Sequence, residues 1–95
     1  MTETMIHVYL FVYSDRTGDR ESMKNMLNSI PEIVNWRYDM PNSFYLQTEK
    51  SAQELTDIFV RKLNKNDKRF LISEITNNRQ GYLPGDTWKF LNVEK

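Results

Sequence analysis

The chain has no cysteine, a single histidine and no excess charge of either sign. Without cysteine there can be no disulfide framework, thiolate metal site or cysteine nucleophile. Any imidazole acid–base chemistry would rest on His7 alone, and no serine or aspartate partner stands beside it. Its place at the start of an apolar run is that of a packed or edge histidine. Lys and Arg number 13, as do Asp and Glu, so no global field draws the chain toward nucleic acid or an anionic membrane. The longest apolar run, residues 5–13, is too short to span a bilayer. No basic region precedes it, so it does not read as a signal peptide. P-loop, dinucleotide fingerprint and His-rich metal spacing are missing too. These absences lead us to expect a cytoplasmic protein that makes no membrane contact, with residues 1–95 forming one domain.

What is present begins with His7-Val8-Tyr9-Leu10-Phe11-Val12-Tyr13-Ser14-Asp15. The run reads as a strand with two apolar faces: Ile6, Val8, Leu10 and Val12 on one, His7, Tyr9, Phe11 and Tyr13 on the other. A loop of turn formers follows, and Asp19 is a good N-cap for a helix carrying Met23, Met26, Leu27 and Ile30 at helical spacing. Pro31 closes that segment. Residues 33–39 and 43–48 read as two strands joined around Met40-Pro41-Asn42, a hairpin turn. Ser51-Ala52-Gln53-Glu54 is a capping box that opens a second helix with the stripe Leu55, Ile58, Phe59 and Leu63. Residues 70–75 form a fourth strand. The tail from Tyr82 holds a short helix starting near Asp86, which packs Trp88 or Leu91 back on the core or adds to a partner's sheet edge.

The order is β-α-β-β-α-β with a C-terminal extension. We therefore expect the α+β class and a ferredoxin-like fold, a four-stranded antiparallel sheet with two helices on one face. Two helices cover one face only. If Ile6, Val8, Leu10 and Val12 lie under them, Tyr9, Phe11 and Tyr45 line the open face.

Four stretches are distinctive in their order and spacing: "VYLFVYS", Ser51-Ala52-Gln53-Glu54-Leu55, Asn66-Asp67-Lys68-Arg69-Phe70-Leu71-Ile72, and Gly81-Tyr82-Leu83-Pro84 followed by Trp88. Together they resemble a group of small ferredoxin-like proteins known as SinR-like. That group is similar to the small nuclease-like subunit of CRISPR spacer acquisition and to virulence-associated ribonucleases. The resemblance implies a homodimer paired through its sheets. It also implies a functional aspartate just after the first strand, two copies of which hold a divalent metal between subunits. Here Ser14 occupies that position and Asp15 comes next, and a shift of one residue in a strand reverses the side chain's direction.

The candidate sites follow from both lines of reasoning. Asp15, with Asp19 nearby, is the catalytic and metal candidate, a carboxylate pair suited to Mg²⁺ that would serve a nuclease acting on RNA or DNA. Its ordinary alternatives are a turn and a helix cap. Tyr9, Phe11 and Tyr45 would form the dimer interface or stack bases, although the strand "SFYLQT" lacks the Lys/Arg-Gly opening of an RNA-recognition motif. Arg61, Lys65 and Arg69, which Arg37 and Arg79 could extend in space, are the nucleic-acid candidates. Their plain alternative is a helix C-terminus complemented by cations. We expect a small homodimeric binding or regulatory protein, accessory to a phage, defence or toxin-antitoxin locus. The competing expectation is a metal-dependent nuclease using Asp15.

Overall fold

A computed structural model describes residues 5–64 and 66–92. The chain runs β1 (His7–Tyr13), α1 (Arg20–Asn28), β2 (Ile33–Arg37), β3 (Ser43–Thr48), α2 (Ala52–Leu63), β4 (Phe70–Glu74) and α3 (Gly85–Leu91). The fold is α+β. Its four strands form one sheet in the order β2-β3-β1-β4, with every neighbouring pair antiparallel. β1 is therefore interior, bonded to β3 on one side and β4 on the other, and both its faces are apolar because the two long helices pack on one and α3 on part of the other. β2 and β4 are the edges. β2 carries an irregularity between Ile33 and Asn35, and the Asn35 side chain accepts from the Trp36 amide at 2.9 Å. Such a feature blunts an edge strand.

The helices start where local hydrogen bonding dictates. The Asp19 carboxylate accepts from the Ser22 amide at 2.8 Å and caps α1. At α2 the capping box is complete: the Glu54 amide donates to the Ser51 hydroxyl at 3.1 Å, and the Ser51 amide donates to the Glu54 carboxylate at 2.9 Å. Asn64 ends the helix in the left-handed region at φ 40°, where asparagine is tolerated better than most residues. Both helices bury their apolar stripes on one side of the sheet, and Met23, Met26, Leu27, Leu55 and Phe59 join the main core.

The two faces of β1 are reversed relative to the sequence expectation. Tyr9, Phe11 and Tyr13 point into the helix-covered core, and Val8 and Leu10 lie on the other side. Phe11, fully buried, packs edge-on against Phe59 with ring centroids 4.9 Å apart and also meets Phe70 and Phe44. Period-2 alternation sorts residues into two sets but does not say which set meets the helices. Here the layer between sheet and helices takes the large aromatic rings. Tyr9 and Phe11 thus cannot line an open face.

The opposite face is half covered. α3 lies on it, with Leu91 packed against Val8 and Tyr45, and with Leu10, Ile75, Leu83, Trp88 and Phe90 around them. Polar bonds hold α3 in place. The Arg37 Nε donates to the Thr87 hydroxyl at 2.7 Å, and that hydroxyl donates onward to the Asp39 carboxylate. Gln47 Nε2 donates to the Phe90 carbonyl at 2.9 Å. Among the described residues, no helix is long and apolar enough to cross a membrane.

Candidate functional site

At the end of β1 the chain turns into a tightly tied loop. The Ser14 amide donates to the Arg69 carbonyl at 3.0 Å. The fully buried Thr17 hydroxyl donates to the same carbonyl at 2.8 Å and accepts from the Arg69 amide at 2.9 Å. This clasp joins the loop after β1 to the start of β4. Asp15 sits on the exposed rim of the loop. Its carboxylate accepts from Asn42 Nδ2 at 2.9 Å. Asn42 occupies the hairpin turn between β2 and β3 at φ 58°. Asp15 therefore ties two loops together.

A shallow depression is lined by Ser14, Asp15, Arg16 and Arg69. Arg16 donates to Asp67 at 3.0 Å, and Arg69 Nε lies 4.0 Å from the same carboxyl group. Both are exposed pairs, of a kind that contributes about 0–1 kcal/mol. Asp19, the other half of the expected metal pair, has a carboxylate oxygen committed to the α1 cap. Among the described residues, no three His, Cys, Asp or Glu side chains come together as a metal site.

His7 is remote from this loop. It begins β1, which spans about 20 Å at the rise of a strand, and Asp15 lies beyond the other end. Its Nδ1 is 2.9 Å from Glu74 on the adjacent edge strand. The basic candidates do not converge either. Arg61 lines a depression on α2 with Glu32, Lys50, Glu54 and Asp57, whereas Arg69, just before β4, lines the depression at the loop after β1. Arg37 is engaged by Thr87 on the opposite side of the sheet from α2. Lys65 lies outside the described residues.

An apolar concavity lies between the half-covered sheet face and the C-terminal segment. It measures about 290 Å³, and Leu10, Tyr45, Ile75, Tyr82, Leu83 and Trp88 contribute to its walls, with Arg79 at its margin. Tyr45 is only 4% exposed, and its hydroxyl has no hydrogen-bond partner among the described residues. Burial, followed by the charge of Asp39, pushes its pKa above the usual tyrosine value against the opposing effect of Arg37. The phenol is therefore a neutral, unused donor.

The sequence placed Tyr82 and Trp88 in one tail but did not bring them to Tyr45. Only the return of the chain after β4 over the sheet does so. Comparison of the chain with protein-family models, with curated proteins and with solved structures yields no match.

Proposed function

We propose that this chain is a non-enzymatic binding or regulatory protein that works as a homodimer. The observation that carries this reading is an apolar strip left bare beside the free edge of the sheet. Val12 on β1 and Leu71 on β4 are direct cross-strand partners, 39% and 64% exposed, on the side of the sheet that α3 only partly covers. An edge strand with unpaired backbone groups and an exposed large aliphatic side chain is a template for pairing. A second copy suits it, because a formal net charge of zero sets up no long-range repulsion between identical chains. The interface residues in this reading are Val12 and Leu71 in place of Tyr9 and Phe11. Light scattering should give twice the chain mass for the wild type and the single-chain mass for Leu71→Lys. A dimer that survives Leu71→Lys and Val12→Lys together would sink this reading.

We also read the topology as ferredoxin-like, with α3 added to it. Support comes from the β-α-β-β-α-β order, with the first and third strands central and the second and fourth at the edges. Kinship with the SinR-like group, and with it an accessory role at a phage, defence or toxin-antitoxin locus, rests on where the resembling stretches fall. "VYLFVYS" forms most of β1, Ser51–Leu55 opens α2, and 66–72 leads into β4.

A nuclease reading has one observation in its favour, the exposure of Asp15 at the end of β1. Labelled single-stranded RNA and double-stranded DNA, incubated with Mg²⁺, Mn²⁺ or chelator, should remain intact. Metal-dependent cutting that Asp15→Ala removes would replace the binding reading with the enzymatic one.

A further inference from the structure

Neither the bare Val12–Leu71 strip nor the Asp15 loop makes use of the groove beneath the C-terminal segment. We propose that this groove binds a small planar aromatic molecule of one or two rings that carries an anionic group such as a carboxylate. The proposal rests on the chain being a binding protein, but not on its self-association.

Size comes first. A cavity of about 290 Å³ falls at the lower end of the range of small-molecule pockets, too small for a peptide helix but adequate for a fused-ring ligand. The walls decide the shape. Tyr45, Tyr82 and Trp88 supply aromatic surfaces against which a flat ring can stack or set its edge. Leu10, Ile75 and Leu83 complete the apolar lining of an open groove.

Charge decides the sign of the ligand. Among the described residues, Arg79 is the only charged side chain in the lining. Among the described residues it donates to two neutral groups, the Thr76 carbonyl at 2.8 Å and the Asn92 side-chain oxygen. A guanidinium has five N–H donors, so these bonds leave capacity as well as positive charge. An anionic group beside an apolar wall is the complement of that arrangement, and charge-assisted bonds to carboxylates are among the strong ones.

One further feature fits an occupant. Tyr82 is 103% exposed although it belongs to the lining. A ring standing free at the mouth of an apolar groove can fold over a ligand and regain buried area.

The test is a titration of the ¹⁵N-labelled full chain with 2-naphthoate, benzoate and indole-3-acetate, followed by amide and indole shifts. Naphthalene-2-carboxamide serves as the neutral control. At least one of the three acids should bind saturably, moving the resonances of Leu10, Tyr45, Leu83 and the Trp88 indole. Arg79→Gln should weaken binding about tenfold, as the loss of one charge-assisted contact implies. Tyr82→Ala should weaken it severalfold, and the neutral amide should bind less tightly than 2-naphthoate. All of these changes fall on exposed or rim side chains, so folding is expected to persist and is checked by the spectrum itself.

The proposal is overturned if none of the acids gives saturable shifts, if the shifts lie outside the groove, or if Arg79→Gln leaves affinity unchanged. Light scattering on the same samples separates the two readings. A dimer that binds no aromatic acid removes only this inference. A monomer that binds one removes only the dimer.

Discussion

The two faces of one sheet are built by different means. The helix-covered face is sealed by volume: Phe11, Phe44, Phe59 and Leu46 are at most 1% exposed and interlock as rings and branched chains. The other face is sealed by a strap. There α3 contributes Leu91 and Trp88, but a polar relay from Arg37 through Thr87 to Asp39 fixes where the strap lies. Dispersion and burial are non-directional and scale with area, whereas hydrogen bonds specify position. The first face thus accounts for most of the stability. The second is positioned rather than packed, and it leaves both a groove and a bare apolar strip.

The sharpest way to break this comparison is to truncate neighbours on the two faces of β1. Phe11→Ala should cost about 3–5 kcal/mol, the range for deleting a buried aromatic ring. That is a large part of what a domain of this size has to lose. Val12→Ala, one residue on and facing out, should change stability by less than about 1 kcal/mol. Denaturant melts of the two variants measure the contrast, and similar losses would mean that the faces are not as unequal as they look.

A smaller effect distinguishes a satisfied hydroxyl from an unsatisfied one on the strap side. Thr87→Val keeps the shape but strands Arg37 and Asp39 without their shared partner, a cost of about 1–3 kcal/mol. Tyr45→Phe removes a hydroxyl that bonds to nothing among the described residues and should be neutral or slightly stabilising. Hydrogen exchange across residues 85–91 should speed up in the first variant and stay unchanged in the second.

The smallest predicted effect lies on the helix side and depends on pH. Hydrogen bonds from the Ser51 backbone amide and then its side chain hold the Glu54 pKa below the ordinary glutamate value. A depressed carboxyl pKa stabilises the fold above the unfolded-state value, near pH 4.3, and that contribution is lost as pH falls through the folded-state value. Glu54→Gln should therefore lower stability slightly at neutral pH, where the carboxylate contribution is present, and flatten the acid limb, while stability below the folded-state value stays close to that of the wild type. A variant whose acid limb matches the wild type would show that the box does not titrate with folding.

The site was less legible than the fold. Asp15 was visible as a carboxylate after a strand, but its tie to Asn42 depends on a hairpin elsewhere in the chain. Arg61 and Arg69 looked like one patch because they are close in sequence. The turn after α2 carries Arg69 to the end of β1, so they line separate depressions. Tyr82 and Trp88 gave no signal that links them to Tyr45, because no periodicity relates residues brought together by the return of the tail.

What the sequence determined by itself was local. Asp19 and the Ser51–Glu54 box start their helices because each cap closes within three residues, where few alternatives compete. The extended, two-faced character of β1 was equally fixed, since alternation and bulky side chains suffice for a strand. Tertiary structure alone decided which face of β1 meets the helices. The pattern is symmetric under a one-residue slip, and only the fit of Phe11 among Phe44, Phe59 and Phe70 breaks that symmetry. It also decided that the tail closes on its own sheet, because Thr87 finds Arg37 and Asp39 only after β2 has taken its place at the edge.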